Sequence, residues 1–163
     1  METRTLSSRH RIIADLAAFA DGQPFLIVEV KAMHGAAALA AGWLINLLHR
    51  FKEDSGREVP FGMVVDLDDI LVFDLRRPDP AMPVCGFKTR EILEAYDPDF
   101  AHKPIYDDYL QALVERWLRM FGWRMSLASP RGAKELTEAG LADLLNRGSI
   151  SRQVPLADAD PVR

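Results

Sequence analysis

The chain has 163 residues, 48% of them hydrophobic and 27% charged, with a formal net charge of −4. That suits one domain with a real core, and the acidic balance argues against a surface that is basic overall, as nucleic-acid-binding domains often are. The single cysteine, Cys85, excludes an internal disulfide, and one Cys with four His residues offers no structural zinc pattern.

Met1 to Arg9 is polar and basic, and no long apolar run follows it to make a signal peptide. No segment approaches the roughly 18 apolar residues of a membrane span, so the expected location is the cytoplasm.

From His10 to Ala20 the chain reads as a strand, because Asp21-Gly22 and a second apolar run follow at once. Asp-Gly between two apolar runs signals a hairpin. A two-residue turn sets Asp15 opposite Val28, with Asp15 and Glu29 on opposite faces. A three-residue loop, Asp21-Gly22-Gln23, sets Asp15 opposite Glu29 and Ile13 opposite Lys31. A one-residue slip swaps the faces. We expect the second register, or a bulge with the same effect.

Phe25-Leu26-Ile27-Val28-Glu29-Val30-Lys31 is the second strand. Glu29 and Lys31 are two apart, so they share a face. An acid and a base in so apolar a run are costly unless they have partners or a task.

Ala36 to Phe51 reads as a helix, apolar around most of its circumference and so expected to be buried on most sides. Phe61 to Leu67 and Ile70 to Leu75 predict two strands around Asp68-Asp69. Asp66, Asp68 and Asp69 read as solvated turn acids. Arg76 to Pro83 is a loop, and Glu91 to Tyr96 a short helix that Asp97-Pro98 ends.

Asp107 or Asp108 is placed to cap the next helix. There Tyr109, Leu110, Leu113, Val114, Trp117, Leu118 and Phe121 recur at helical spacing. Ala133 to Asn146 predicts one last helix, closed by Arg147-Gly148. The elements predict a single mixed α/β domain over residues 1–150 and a mobile tail over 151–163.

The front of the chain thus carries Asp15, thirteen residues, then Glu29-Val30-Lys31 and a helix. Two carboxylates on neighbouring strands make a hard-oxygen site for Mg²⁺ or Mn²⁺, with the Val30 carbonyl as a candidate third ligand. A lysine beside them can position or deprotonate a water, or stabilise a phosphorane-like transition state.

This pattern resembles the PD-(D/E)xK nuclease superfamily, with Ala14-Asp15 at the Pro-Asp position and Glu29-Val30-Lys31 at the second half-motif. The resemblance extends through the helix at Ala36 to Phe51 and the strands at Phe61 to Leu75. It implies a restriction-endonuclease-like fold, a mixed central sheet flanked by helices. It implies metal-dependent hydrolysis of DNA phosphodiesters, with Asp15 and Glu29 on Mg²⁺ or Mn²⁺ and Lys31 on the attacking water. Only fourteen residues precede Asp15, so the acid-bearing helix that many members of the superfamily carry before that strand is expected to be missing or a stub, or else a partner chain completes the sheet edge.

The rival reading is a catalytically inactive module of the same fold that binds a protein or nucleic acid, or a second copy of itself. His34 reads as a loop or N-cap histidine. Arg116, Arg119, Arg124, Arg131 and Lys134 form a candidate basic rim, with a solvated helix face as the plainer alternative. Cys85 has no paired base nearby in sequence.

Overall fold

A six-stranded mixed sheet organises the described part of the chain, residues 13–122 and 129–156 of the computed structural model. Its strands are β1 (Ile13–Ala20), β2 (Gln23–Val30), β3 (Phe61–Val65), β4 (Asp69–Asp74), β5 (Cys85–Lys88) and β6 (Ser149–Pro155). They lie in the order β5-β4-β3-β2-β1-β6. All neighbours are antiparallel except β2 and β3, which run parallel. Among the described residues the α-helices are α1 (Ala37–Ser55), α2 (Thr89–Leu93), α3 (Asp107–Arg119), α4 (Ala133–Glu138) and α5 (Leu141–Arg147).

The first hairpin turns on two residues, Asp21 and Gly22, both with positive φ, as such turns require. The pairing then slips by one, because Phe19 faces Pro24 while Ala18 faces Leu26, leaving Phe25 as an extra residue. This bulge restores the register in which Leu16 faces Val28. Continued one step, that register sets Asp15 level with Glu29, as the expected facing requires.

Parallel strands need a long connection, and α1 supplies it between β2 and β3. α1 packs on one face through Ala37, Ala41, Leu44 and Leu48, against Ile27, Val64 and Phe73. Gly62 allows this close approach, since a Cβ there would sit 3.2 Å from Leu44. The other face buries Leu16, Val28, Val30 and Met63 under Leu110, Val114, Trp117, Leu136 and Leu141.

Several expectations are corrected. α1 is buried on one side only, with Leu39 85% and Trp43 49% exposed, because a single sheet face is all it has to pack on. The last helix is two, since Gly140 takes a left-handed φ of 84° between α4 and α5. Residues 151–155, placed in the tail from sequence, belong instead to β6, which pairs along β1 from Ile13↔Pro155 to Phe19↔Ser149. The same chain, through β6, therefore covers the β1 edge for which a partner chain was one of the alternatives. The remainder of the tail, Met1 to Arg9 and Arg124 lie outside the described residues. No helix among the described residues is long and apolar enough to cross a membrane.

Gly148 lets β6 enter the sheet. A Cβ there would meet the Phe25 ring at 2.6 Å and the Phe19 carbonyl at 2.8 Å. Gly148→Ala is therefore expected to lower the unfolding free energy by about 1–3 kcal/mol, read from urea titrations.

Candidate metal centre

Asp15, Glu29 and Lys31 lie where β1 and β2 part. Their pairing ends at Leu16↔Val28, while β1 continues to Ile13 alongside β6. Beyond that point the Val30 N–H finds its acceptor in a side chain, donating to Asp15 Oδ2 at 2.8 Å. Glu29 is level with Val64 on β3, whose side chain belongs to the α1-side cluster. Glu29 therefore lies on the α1 side of β2, while Asp15 also feels the charge of Asp107 at the start of α3.

Glu29 is only 4% exposed, and its Oε1 has no hydrogen-bond partner. Burial, and then the neighbouring charge of Asp15, push its carboxyl up to about 7. Burial also raises Asp15, against the lowering effects of the Val30 amide and the Lys31 charge. Lys31 itself is exposed.

Among the described residues no group of three or more His, Cys, Asp or Glu side chains comes together as a metal cage. Two carboxylates are nonetheless a fit for Mg²⁺ or Mn²⁺, because a small hard cation keeps several waters and needs few protein oxygens. Glu29 Oε1 is the buried oxygen left over for it. Val30 is buried beside the pair, with its N–H already committed to Asp15.

The strand-to-helix connection after Lys31 is held by carboxylates that sequence reasoning misplaced. Asp66, read as a solvated turn acid, is 1% exposed. Its Oδ2 accepts from the Ala36 and Ala37 amides at 2.8 and 2.9 Å, capping α1 from outside the helix. Its Oδ1 accepts from the Asp68 and Asp69 amides at 2.8 and 2.7 Å, closing the β3–β4 turn. Asp68 accepts from Gly35 N–H and pairs with His34 Nδ1, both at 2.9 Å, so His34 is the expected loop histidine. Neither Asp107 nor Asp108 is the N-cap of α3, a position held by Tyr106. Asp107 Oδ1 instead accepts from Ala32 N–H at 2.7 Å. The only local signal for any of this is Asp66-Leu67-Asp68-Asp69, which looks the same in a solvated turn.

A cleft of about 800 Å³ opens beside this connection, lined by His34, Asp68, Lys88, Arg90, Phe100 and Lys103 among others. Its cations are already paired, Lys88 with Asp69, Arg90 with Glu94 and Lys103 with Asp97. The arginine rim is likewise engaged. Arg116 stacks over Tyr96, Arg119 pairs with Glu115 and donates to the Ile150 carbonyl, and Arg131 donates to Glu91 and Glu94. Lys134 is exposed. Burial pushes the Cys85 thiol up to about 11, which disfavours the thiolate a nucleophile needs.

No protein-family model matches the chain, and neither a curated protein nor a solved structure matches it.

Two predictions follow from the buried acids. Asp66→Ala strips acceptors from four backbone amides and is expected to destabilise the fold by about 3 kcal/mol or more, measured by urea unfolding. Glu29 keeps a proton in the folded chain between pH 4.5 and about 7 that the unfolded chain releases. Stability from this group is therefore highest below pH 4.5, falls as pH rises to about 7 and then levels. Glu29→Gln is expected to be more stable than wild type by about 1–3 kcal/mol at pH 8, with the gain vanishing toward pH 4.5. A variant less stable than wild type at pH 8 would contradict it.

Proposed function

We propose that this protein is a metal-dependent nuclease of the PD-(D/E)xK type, with a restriction-endonuclease-like fold, hydrolysing DNA phosphodiesters. What carries the reading is the Glu29 carboxylate, buried with one oxygen unpartnered, beside Asp15 at the fork of two strands and two residues before Lys31. The order of hairpin, helix and parallel strand around that fork supports the fold assignment.

Asp15, Glu29 and the Val30 carbonyl would hold Mg²⁺ or Mn²⁺. The bound cation would polarise the scissile phosphate and acidify a water. The Lys31 ammonium would orient that water; as its oxygen bonds to phosphorus its proton would pass to solvent, and the bond from phosphorus to the leaving sugar oxygen would break. A solvent water would then protonate that leaving oxygen. Glu29 must release its proton before a cation takes its oxygen, so loading would be favoured above about pH 7.

The inactive binding module is kept as the second reading for one observation, the exposed Leu39 and Trp43 on the outer face of α1.

The test is nicking of supercoiled plasmid by the purified chain in Mg²⁺, beside calorimetry with Mn²⁺. Wild type is expected to nick and to bind Mn²⁺. Asp15→Ala, Glu29→Gln and Lys31→Ala are each expected to lose about 100-fold or more in rate, and Glu29→Gln the Mn²⁺ isotherm. Wild-type rates in Asp15→Ala or Lys31→Ala would overturn the assignment. Mn²⁺ binding that Glu29→Gln leaves intact would overturn the metal site.

A further inference from the structure

Lys31 can act on a water only if its ammonium is held in place, and it follows directly on the last residue of β2, where backbone order normally weakens. Its backbone is fixed on three sides. Its N–H donates to the Val65 carbonyl at 2.8 Å, and its carbonyl accepts from Met33 N–H at 2.8 Å. The third tie is the Ala32 N–H, which donates to Asp107 Oδ1 at 2.7 Å. The first two are main-chain bonds that do not depend on side-chain identity. The third needs a carboxylate from a residue 75 positions along the chain.

Asp107 is the first residue of α3, where an acidic side chain ordinarily serves its own helix. α3 has no side-chain cap, and the Asp107 oxygen is turned outward to the loop. A bond to an ionised acceptor is about twice as strong as a neutral one, so it can hold an exposed amide against water.

We propose that Asp107 is a positioning residue for Lys31. Its carboxylate latches the Ala32 amide, fixes where the lysine side chain leaves the sheet, and ties α3 to the acid pair. The role rests on the nuclease reading, but the latch does not.

The experiment compares Asp107→Ala, which removes the acceptor, with Asp107→Asn, which keeps an oxygen within reach of Ala32. Asp107→Ala is expected to slow plasmid nicking by about 100-fold, and Asp107→Asn to recover most of that. In a Lys31→Ala background Asp107→Ala should cost no more than about twofold further, because the group it positions is gone. Amide hydrogen exchange at Ala32, read by NMR, is expected to speed up about tenfold or more in Asp107→Ala and to stay slow in Asp107→Asn. If Asp107→Ala does not fold, Asp107→Ser, too short to span the gap, takes its place with the same expectations.

Equal Ala32 exchange in wild type and the acceptor-less variant overturns the proposal, as does a full cost on top of Lys31→Ala. A wild type that cuts nothing overturns the nuclease reading and the role drawn from it. Ala32 protection that still depends on Asp107 then marks the chemistry, not the latch, as what failed.

Discussion

Four aspartates accept the backbone N–H groups of the segment that leads from β2 into α1. Asp15 takes Val30, Asp107 takes Ala32, Asp68 takes Gly35, and Asp66 takes Ala36 and Ala37. Amides at a strand end and at a helix start have no regular partner, and burying one unsatisfied costs about 1–3 kcal/mol. Here the partners come from β1, from α3 and from the β3–β4 turn, so one eight-residue stretch gathers the two faces of the sheet and its far turn. The positions of Glu29 and Lys31, and the start of α1, all depend on these bonds being made together.

The same arrangement leaves one group worse off. Asp15 spends an oxygen on the Val30 amide, and the strands separate there instead of continuing their ladder. Glu29 is left with a buried oxygen and no donor. A chain optimised for stability alone would place an apolar residue at that spot. Elsewhere the charges are used conservatively. Among the described residues, Arg116, Arg119, Arg131 and Lys88 each tie one segment to another, which agrees with a net charge of −4 and with the absence of a compositional bias toward polyanions.

Local patterns carried the central hairpin, the α3 stripe and the acid pair, because each rests on near neighbours in sequence. Asp21-Gly22 fixed the turn, and alternation placed Glu29 and Lys31 on one face. The three-residue loop expected through Gln23 is not formed; the alternative, a bulge with the same effect on facing, occurs at Phe25, which no local pattern singles out. Asp66 and Asp107 were misread because their partners lie up to 30 and 75 residues away, and a solvated acid has the same neighbours. The apolar character of α1 told how much it could bury but not that one sheet face was available. β6 escaped notice because an edge strand with Ser, Arg and Gln in it pairs through backbone and leaves little hydrophobic signature.

β1 has two neighbours of very different origin. β2 follows it after a two-residue turn, whereas β6 comes after every other described strand and helix. Pairings so distant in sequence close late, after the loop entropy between them has been met. During synthesis β1 would therefore wait with one side open until Ser149–Pro155 had emerged. A strand that bears a half-buried carboxylate and an unpaired edge over that interval is open to pairing with another chain, and the arrival of β6 closes that route.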